Sequence, residues 1–339
     1  MEITRPTGTG TEIIPGLTDA FGRTIDYLRL AVTDRCNLRC SYCMPAEGIP
    51  HKAHHHILSF EEMDRLVRIV AAMGVHKVRI TGGEPMVRKE ISGFIQNLQH
   101  IPGIRSVHLT TNAFWSEEQV SELAQMNLES LNISLDTLDP IRFHQITRRD
   151  AFQQVWQTIQ TILEQGITVK LNTVVQRGVN DDEILPIAEL ARTRNIEVRF
   201  IEEMPFNGAK TKQNTVSAQE IYDILDQHYP QLVENTPSGS TARVFEIPGF
   251  SGRVGIIAGY SRSFCASCSR LRITSEGQLK TCLYDGGALD LRHLLRNQSD
   301  DSTISLAISE AIQGRSKDGF EAEVKSQLNT KSSMASIGG

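Results

Sequence analysis

Residues 77–85 run Lys77-Val78-Arg79-Ile80-Thr81-Gly82-Gly83-Glu84-Pro85, a short β-branched stretch of alternating polar and apolar side chains closed by two glycines, an acid and a proline. Alternation with a period of two marks a strand whose faces meet different surroundings, because successive side chains point to opposite sides of a sheet. The pattern returns along the chain. Tyr27 and Arg29 alternate with Leu28 and Leu30; His108, Thr110 and Asn112 with Val107 and Leu109; Asn132, Ser134 and Asp136 with Leu131, Ile133 and Leu135; Lys170 and Asn172 with Val169 and Leu171.

Six strand-like runs, at residues 26–32, 77–81, 106–112, 130–136, 168–175 and 197–204, are separated by amphipathic helical stretches. Ser59 with Glu62 forms a capping box and Gly74 a stop, Ser217 with Glu220 forms a second box, and Gly166 closes a helix that starts near Ala151. Repeated strand–helix units predict a parallel sheet. Parallel strands are normally buried on both faces and read as continuous apolar runs, so a polar face in strand after strand calls for a hydrated, ligand-filled interior. Edge strands explain one such face, not five. Periodicity alone leaves an open doubly wound sheet and a curled one both standing; the polar faces favour the curled one, an α/β fold forming an incomplete (βα)6 barrel.

The texture changes after about residue 230. Residues 235–240 are rich in Pro, Gly and Ser, and residues 242–247, 253–258 and 270–282 read as short antiparallel strands, the last a hairpin turning at Glu276-Gly277. Short helices follow around residues 289–296 and 304–313. The expected plan is an N-terminal extension at residues 1–20, the barrel at 21–230, an α+β appendage at 231–325 and a tail at 326–339 ending Gly338-Gly339.

A chain of 339 residues with 40% hydrophobic content supports a large core without disulfide staples. No apolar run reaches membrane-spanning length, and the first thirty residues lack the basic and apolar regions of a signal peptide, which predicts a cytoplasmic address. A net charge of -5 argues against nucleic acid or an anionic membrane as partner, so an anionic ligand must meet a local cluster of cations. The six cysteines fall into two groups, Cys36, Cys40, Cys43 and Cys265, Cys268, Cys282, which is ligand spacing in a reducing compartment.

Cys36, Cys40 and Cys43 are spaced C-x3-C-x2-C in one loop. Three thiolates so close suit a 4Fe-4S cube whose fourth iron lacks a protein ligand, whereas zinc favours C-x2-C pairs; a structural metal knot is the plainer alternative. Tyr42 directly before the last cysteine, and Gly82-Gly83-Glu84-Pro85 at the end of the next strand, add to that spacing. The combination resembles the radical SAM superfamily. The resemblance implies that the open iron chelates S-adenosylmethionine (SAM), that Tyr42 lies near the adenine, and that the backbone at Gly83 and Glu84 holds the methionine amine.

The second group, C-x2-C-x13-C, again supplies three ligands. His293 could complete a zinc site, and zinc and a second cluster stand about even on spacing. Arg270 and Arg272 on one face of the strand after Cys268 tip the balance, and with Arg29, Lys77, Arg79 and Lys170 they could face one cavity. Like charges brought together need an anion, although one or two of them should pair with carboxylates instead.

From Phe21 onward the chain resembles the GTP 3',8-cyclase family of molybdenum cofactor biosynthesis. The matching motifs are Val32-Thr33-Asp34-Arg35-Cys36, Arg79-Ile80-Thr81-Gly82-Gly83-Glu84-Pro85, Thr110-Thr111-Asn112, Asn132-Ile133-Ser134-Leu135-Asp136, Arg177-Gly178-Val179-Asn180-Asp181-Asp182, Arg199-Phe200-Ile201-Glu202, Phe264-Cys265 and Gly338-Gly339. The resemblance implies two 4Fe-4S clusters, one on each cysteine group, and conversion of GTP to 3',8-cyclo-7,8-dihydro-GTP through a 5'-deoxyadenosyl radical. It places Tyr42, Gly83, Glu84, Ser134 and Met204 at SAM, and Arg29, Lys77, Arg79, Thr110, Lys170 and the run Arg270, Leu271, Arg272 at GTP. Arg270, Arg272 and Lys170 would serve the catalytic geometry, Arg199 would line the same cavity, and the Gly-Gly tail would reach into it. It further implies an external one-electron donor, a downstream cyclic pyranopterin monophosphate synthase and a homodimer. Two departures stand out: Ala113 replaces the usual Gly, and Met204 has the wrong parity relative to Arg199 unless the strand bulges or has ended.

Two other motifs are set aside. The tract His51, His54, His55, His56 reads as a solvated loop, and Asn180-Asp181-Asp182-Glu183 as a helix N-terminus. The rival readings are another radical SAM enzyme with an auxiliary cluster, such as a peptide-modifying maturase, and a non-catalytic iron–sulfur carrier.

Overall fold

In the computed structural model, which describes residues 16–50, 52–204, 206, 215–326 and 334–337, the six runs become six parallel strands hydrogen-bonded in chain order. They are β1 (Tyr27–Ala31), β2 (Lys77–Thr81), β3 (Ser106–Thr111), β4 (Ser130–Ser134), β5 (Val169–Val175) and β6 (Glu197–Glu202). The crossovers are helical: α1 (Phe60–Ala72), α2 (Ile91–Gln99), α3 (Glu117–Glu122), α4 (Pro140–Thr147), α5 (Phe152–Glu164), and the short α6 (Ile184–Ala188) and α7 (Leu190–Thr193); α8 (Ala218–His228) follows β6.

Local chemistry sets these boundaries. Both capping boxes form: Ser59 accepts from the Glu62 amide and Glu62 reaches back, and Ser217 and Glu220 do the same for α8. Gly74 and Gly166 take the left-handed backbone that ends a helix. Along α1, Met63, Leu66, Val67 and Val70 are buried in one core with Leu28, Leu30, Val78 and Ile80, the apolar parity of the strands. The other parity is left facing inward.

Beyond α8 lie β7 (Val233–Glu234), β8 (Arg243–Glu246), β9 (Arg253–Ile257), β10 (Arg270–Ile273), β11 (Gln278–Lys280) and β12 (Leu289–Asp290), then α9 (Leu291–Arg296), α10 (Asp301–Gln313), α11 (Gly319–Ser326) and α12 (Met334–Ile337). The expected antiparallel pairs are present, β8 with β9 and β10 with β11. The appendage nevertheless makes no sheet of its own. β9 lies parallel to β6 and β10 parallel to β1, giving one sheet ordered β12-β11-β10-β1-β2-β3-β4-β5-β6-β9-β8-β7. An open barrel leaves unpaired backbone along its first and last strands, and the C-terminal segment covers both edges. The pairing of β10 with β1 brings the second cysteine group to the barrel wall.

A second small core joins Phe206, Tyr284, Ala322 and Ile337, with Met204, Cys282, Leu283 and Met334 packed against it. Among the described residues no helix is long and apolar enough to cross a membrane. Gly338 and Gly339, and with them the expected reach of the tail, lie outside the described residues, as do His51 and residues 1–15.

Candidate active site

The inward faces of the strands surround a cavity of about 660 Å³, and all six cysteines line it. None of the six is in a disulfide. The two triads therefore open into one chamber.

The first triad sits in the loop after β1, shaped by the glycines after β2. Gly83 N donates to Thr33 O at 2.9 Å and Glu84 N to Arg35 O at 2.8 Å, so parallel pairing runs past both strand ends up to Cys36. A Cβ on Gly83 would lie 2.2 Å from Arg35 O, and one on Gly82, where φ is +145°, 2.5 Å from Thr33 O. Only glycine permits that approach. Burial, then Glu84, pushes the Cys36 thiol up to about 12, and burial with Asp136 pushes Cys40 up as well. Such thiols give up their protons to a metal rather than to water. Asn112 Nδ2 donates to Cys36 Sγ at 3.7 Å and to Asn37 Oδ1 at 2.8 Å.

Tyr42 lines the chamber, its hydroxyl donating to Asp136 Oδ2 at 2.8 Å; burial lifts Asp136 to about 6. Gly83, Ser134 and Met204 also line it. The parity of Met204 is resolved by the strand having ended at Glu202. Glu84 is placed otherwise. Its carboxylate is buried and accepts from Thr111 Oγ1 at 2.8 Å, Asn112 N at 2.7 Å and Met86 N at 3.1 Å, tying the end of β2 to that of β3. Glu84 is not among the residues that line the chamber. Ala113 takes φ 57°, a left-handed conformation that glycine adopts more readily than alanine.

In the second triad, Cys265 opens a 3-10 turn, Cys268 precedes β10 and Cys282 follows β11. Burial raises the Cys268 thiol, but Arg270 and Arg315 outweigh it and bring the group to about 7; burial leaves Cys282 raised. His293 does not complete this set: it is exposed on α9, within 3.0 Å of Asn297 Nδ2, and is not part of the chamber wall. Among the described residues no three His, Cys, Asp or Glu side chains converge on a single-ion site. A cube holds each thiolate on a different iron, so its ligands need not meet at a point.

Between the triads the wall is cationic. Strand register sets Arg272, Arg29 and Arg79 side by side across β10, β1 and β2, with Lys77 beside Tyr27. Burial, then Arg272, holds Arg29 at about 9; burial and Arg199 hold Lys170 at about 8. Tyr27 is raised by burial, yet Arg79 and Arg29 bring it down to about 7, and Arg79 Nε donates to its hydroxyl at 2.5 Å. One cation does pair with a carboxylate: Arg199 Nε lies 2.5 Å from Glu197 Oε1. Among the described residues, four buried polar atoms on the wall have no partner, Arg272 Nη1, Thr110 Oγ1, Asn132 Oδ1 and Asn172 Oδ1. Buried polar atoms are rarely left so, and together they describe a cradle for a polar, anionic ligand. Leu271, of the opposite parity, is buried in the hydrophobic core behind the wall.

Sequence reasoning passed over Arg315, which donates to Cys268 from 47 residues away with no motif around it. It also passed over the linker: residues 237–241 line the chamber, and Arg270 Nη2 donates to Thr241 Oγ1 at 2.6 Å. The His54–His56 turn is exposed, and Asp181–Glu183 opens a helix, both as expected.

An incomplete parallel barrel with three loop cysteines beside a strand-end Gly-Gly at its C-terminal mouth defines a radical SAM protein. The Radical SAM superfamily model matches residues 30–191 and the Molybdenum Cofactor Synthesis C model residues 196–320. The chain is 42% identical to a GTP 3',8-cyclase of Alkaliphilus metalliredigens over 95% of its own length and 99% of that protein's, and by this likeness it belongs to the GTP 3',8-cyclase family. It is also 42% identical to human Molybdenum cofactor biosynthesis protein 1, covering 89% of this chain but 48% of that one, so it spans about half the length of the human protein. Among solved structures it resembles anSMEcpe with bound AdoMet and Cp18Cys peptide, with TM-score 0.58 and 14% identity over 92% of this chain and 88% of that one. Streptococcus suis SuiB bound to S-adenosylmethionine gives TM-score 0.55 and 16% identity over 83% and 68%. At such identities the likeness is one of fold.

Proposed function

We propose that this chain is a radical SAM lyase that converts GTP to 3',8-cyclo-7,8-dihydro-GTP, the first step of molybdenum cofactor biosynthesis. The observation that carries the reading is the single chamber with a cysteine triad at each side and a wall of cations and unpartnered polar atoms between them. Cys36, Cys40 and Cys43 would hold one 4Fe-4S cluster and Cys265, Cys268 and Cys282 another, which fits a Cys36 thiol that burial keeps from ionising without metal and a Cys268 thiolate that Arg270 and Arg315 stabilise. With SAM on the first cluster, the pair supplies the radical that opens the ribose C3'–H bond so that C3' can join C8.

The chain's own residues hold and orient. Tyr42, fixed by Asp136, offers its ring to the adenine, and the Gly83 backbone, Ser134 and Met204 complete the SAM wall. Arg29, Lys77, Arg79, Lys170, Arg270 and Arg272 meet the triphosphate and base, and Thr110 Oγ1 gives them a neutral hydrogen-bonding partner. Lys170 Nζ is half-protonated near pH 8 in the bare chamber; an arriving phosphate favours the ammonium and fixes the proton there. Holding C3' and C8 within bonding reach while water is excluded is worth many orders of magnitude in rate. An external one-electron donor, a downstream cyclic pyranopterin monophosphate synthase, a homodimer and a cytoplasmic address complete the proposal.

The test is anaerobic. The chain is reconstituted with iron and sulfide, reduced, and given SAM with or without GTP, and 5'-deoxyadenosine and cyclised nucleotide are measured. GTP-dependent formation of both is expected. SAM cleavage indifferent to GTP would point to another radical SAM enzyme, and no cleavage at all to a carrier.

A further inference from the structure

The second cysteine group is clasped by side chains outside every motif. Arg315, whose side chain is 3% exposed, donates Nη2 to Cys268 Sγ at 3.0 Å and Nη1 to Cys268 O at 2.9 Å. The same Nη1 lies 3.6 Å from Asp19 Oδ2, on a carboxylate with no exposed surface. Asp19 also holds Arg23 Nε at 2.6 Å, and Arg23 donates to Cys265 O at 3.1 Å, Ser316 O at 2.8 Å and Lys317 O at 2.6 Å. One acid and two guanidinium groups thus fasten both ends of the Cys265–Cys268 turn to the chain entering β1 and to the segment before α11.

The direction of the Arg315 contact is what gives it chemical meaning. A one-electron reduction adds a negative charge to a metal–thiolate unit, and an N–H donor on a ligand sulfur, here carrying a full positive charge, stabilises the reduced form more than the oxidised one. The first triad is provided for differently: the neutral Asn112 amide reaches Cys36 at 3.7 Å, and the carboxylates Glu84 and Asp136 lie close to Cys36 and Cys40. The groups that donate to ligand sulfur therefore differ in charge, a neutral amide at Cys36 and a guanidinium at Cys268.

We propose that Arg315 is a positioning residue that sets the reduction potential of the metal group on Cys265, Cys268 and Cys282, holding it more positive than the thiolates alone would. This rests on the reading of the second triad as a cluster site. The couple takes one electron from the external donor; no bond is made or broken and no proton moves. Because Asp19 orients Arg315 through a buried contact, the donor stays aimed at the sulfur whether or not substrate fills the chamber.

The test uses the full chain with Cys36, Cys40 and Cys43 replaced by Ala, so that only the second group can be loaded. After anaerobic reconstitution, iron and sulfide per chain are counted and the remaining cluster is titrated by electron paramagnetic resonance, with Arg315 kept or changed by Arg315→Gln or Arg315→Lys. Arg315→Gln is expected to lower the reduced-to-oxidised ratio at a fixed potential about tenfold, a midpoint about 59 mV more negative for a one-electron couple. Arg315→Lys, which keeps the charge and loses the fork, should fall between. Coincident midpoints in chains loaded with equal iron overturn the proposal. If Arg315→Gln no longer holds its iron, the comparison of Arg315→Lys with the parent decides, and coincidence there overturns it equally. A parent that binds no iron refutes instead the reading of the second triad as a cluster site.

Discussion

Replacing Arg272 with Met should make the protein more stable and a poorer binder of GTP. Arg272 is 7% exposed, stands in register with Arg29, and leaves Nη1 without a partner. An unsatisfied buried donor costs about 1–3 kcal/mol. Neighbouring strands lie about 5 Å apart, and two guanidinium groups held at that spacing would repel by about 3 kcal/mol at an effective dielectric of 20. A loaded cluster on the neighbouring thiolates carries net negative charge and offsets much of that repulsion, so a net gain of about 1 kcal/mol is expected, or a rise in Tm of roughly 2 °C for a chain of this size. The same guanidinium lost to a phosphate or base removes a charge-assisted hydrogen bond of about 1.5–3 kcal/mol, a ten- to hundredfold weaker Kd. Thermal unfolding of the reconstituted protein without nucleotide, and equilibrium dialysis of GTP, read the two effects separately. A variant that melts lower and binds GTP as tightly as the parent would refute the reasoning, because it would make Arg272 a structural group.

Three further outcomes follow from the same geometry. Gly83→Ala sets a methyl 2.2 Å from Arg35 O, so the loop leading to Cys36 must move; a loss of about 1–3 kcal/mol in stability and of SAM binding by calorimetry is expected, and unchanged SAM affinity would contradict the placement. Ala113→Gly relieves a left-handed alanine at φ 57° and should stabilise the chain by about 1 kcal/mol in chemical denaturation, a lower midpoint being the contrary result. Because burial holds Lys170 at about 8, below the 10.5 of an ordinary lysine, the unfolded chain binds more protons between those values; its share of stability rises with pH across that window and is flat below it. GTP affinity should accordingly fall as pH rises through 8, and Lys170→Met should remove that part of the dependence in a pH series of dialysis measurements.

Much of the site was legible before any coordinates, because local pattern carries it. Side-chain parity fixes which face of a strand a residue takes, so Arg29, Arg79, Thr110 and Lys170 could be assigned to an interior from the sequence around them, and each lines the chamber. Cysteine spacing named all six candidate ligands, whereas the close backbone approach at Gly83, where a Cβ would lie 2.2 Å from Arg35 O, emerged only in the structure. Where parity was overlooked, at Leu271, the side chain is found in the core.

Long-range pairing belonged to the tertiary structure alone. No local feature of β10 says that it will lie parallel to β1, more than two hundred residues earlier, and that pairing is what brings the second triad to the chamber the first opens into and aligns Arg272 with Arg29. The Asp19–Arg315–Cys268 contact spans the whole chain and has no periodicity to betray it. A strand's faces follow from its own residues, since the backbone alternates every two; its neighbours follow from which exposed edge remains for it to cover, and that is settled only when the rest of the sheet exists.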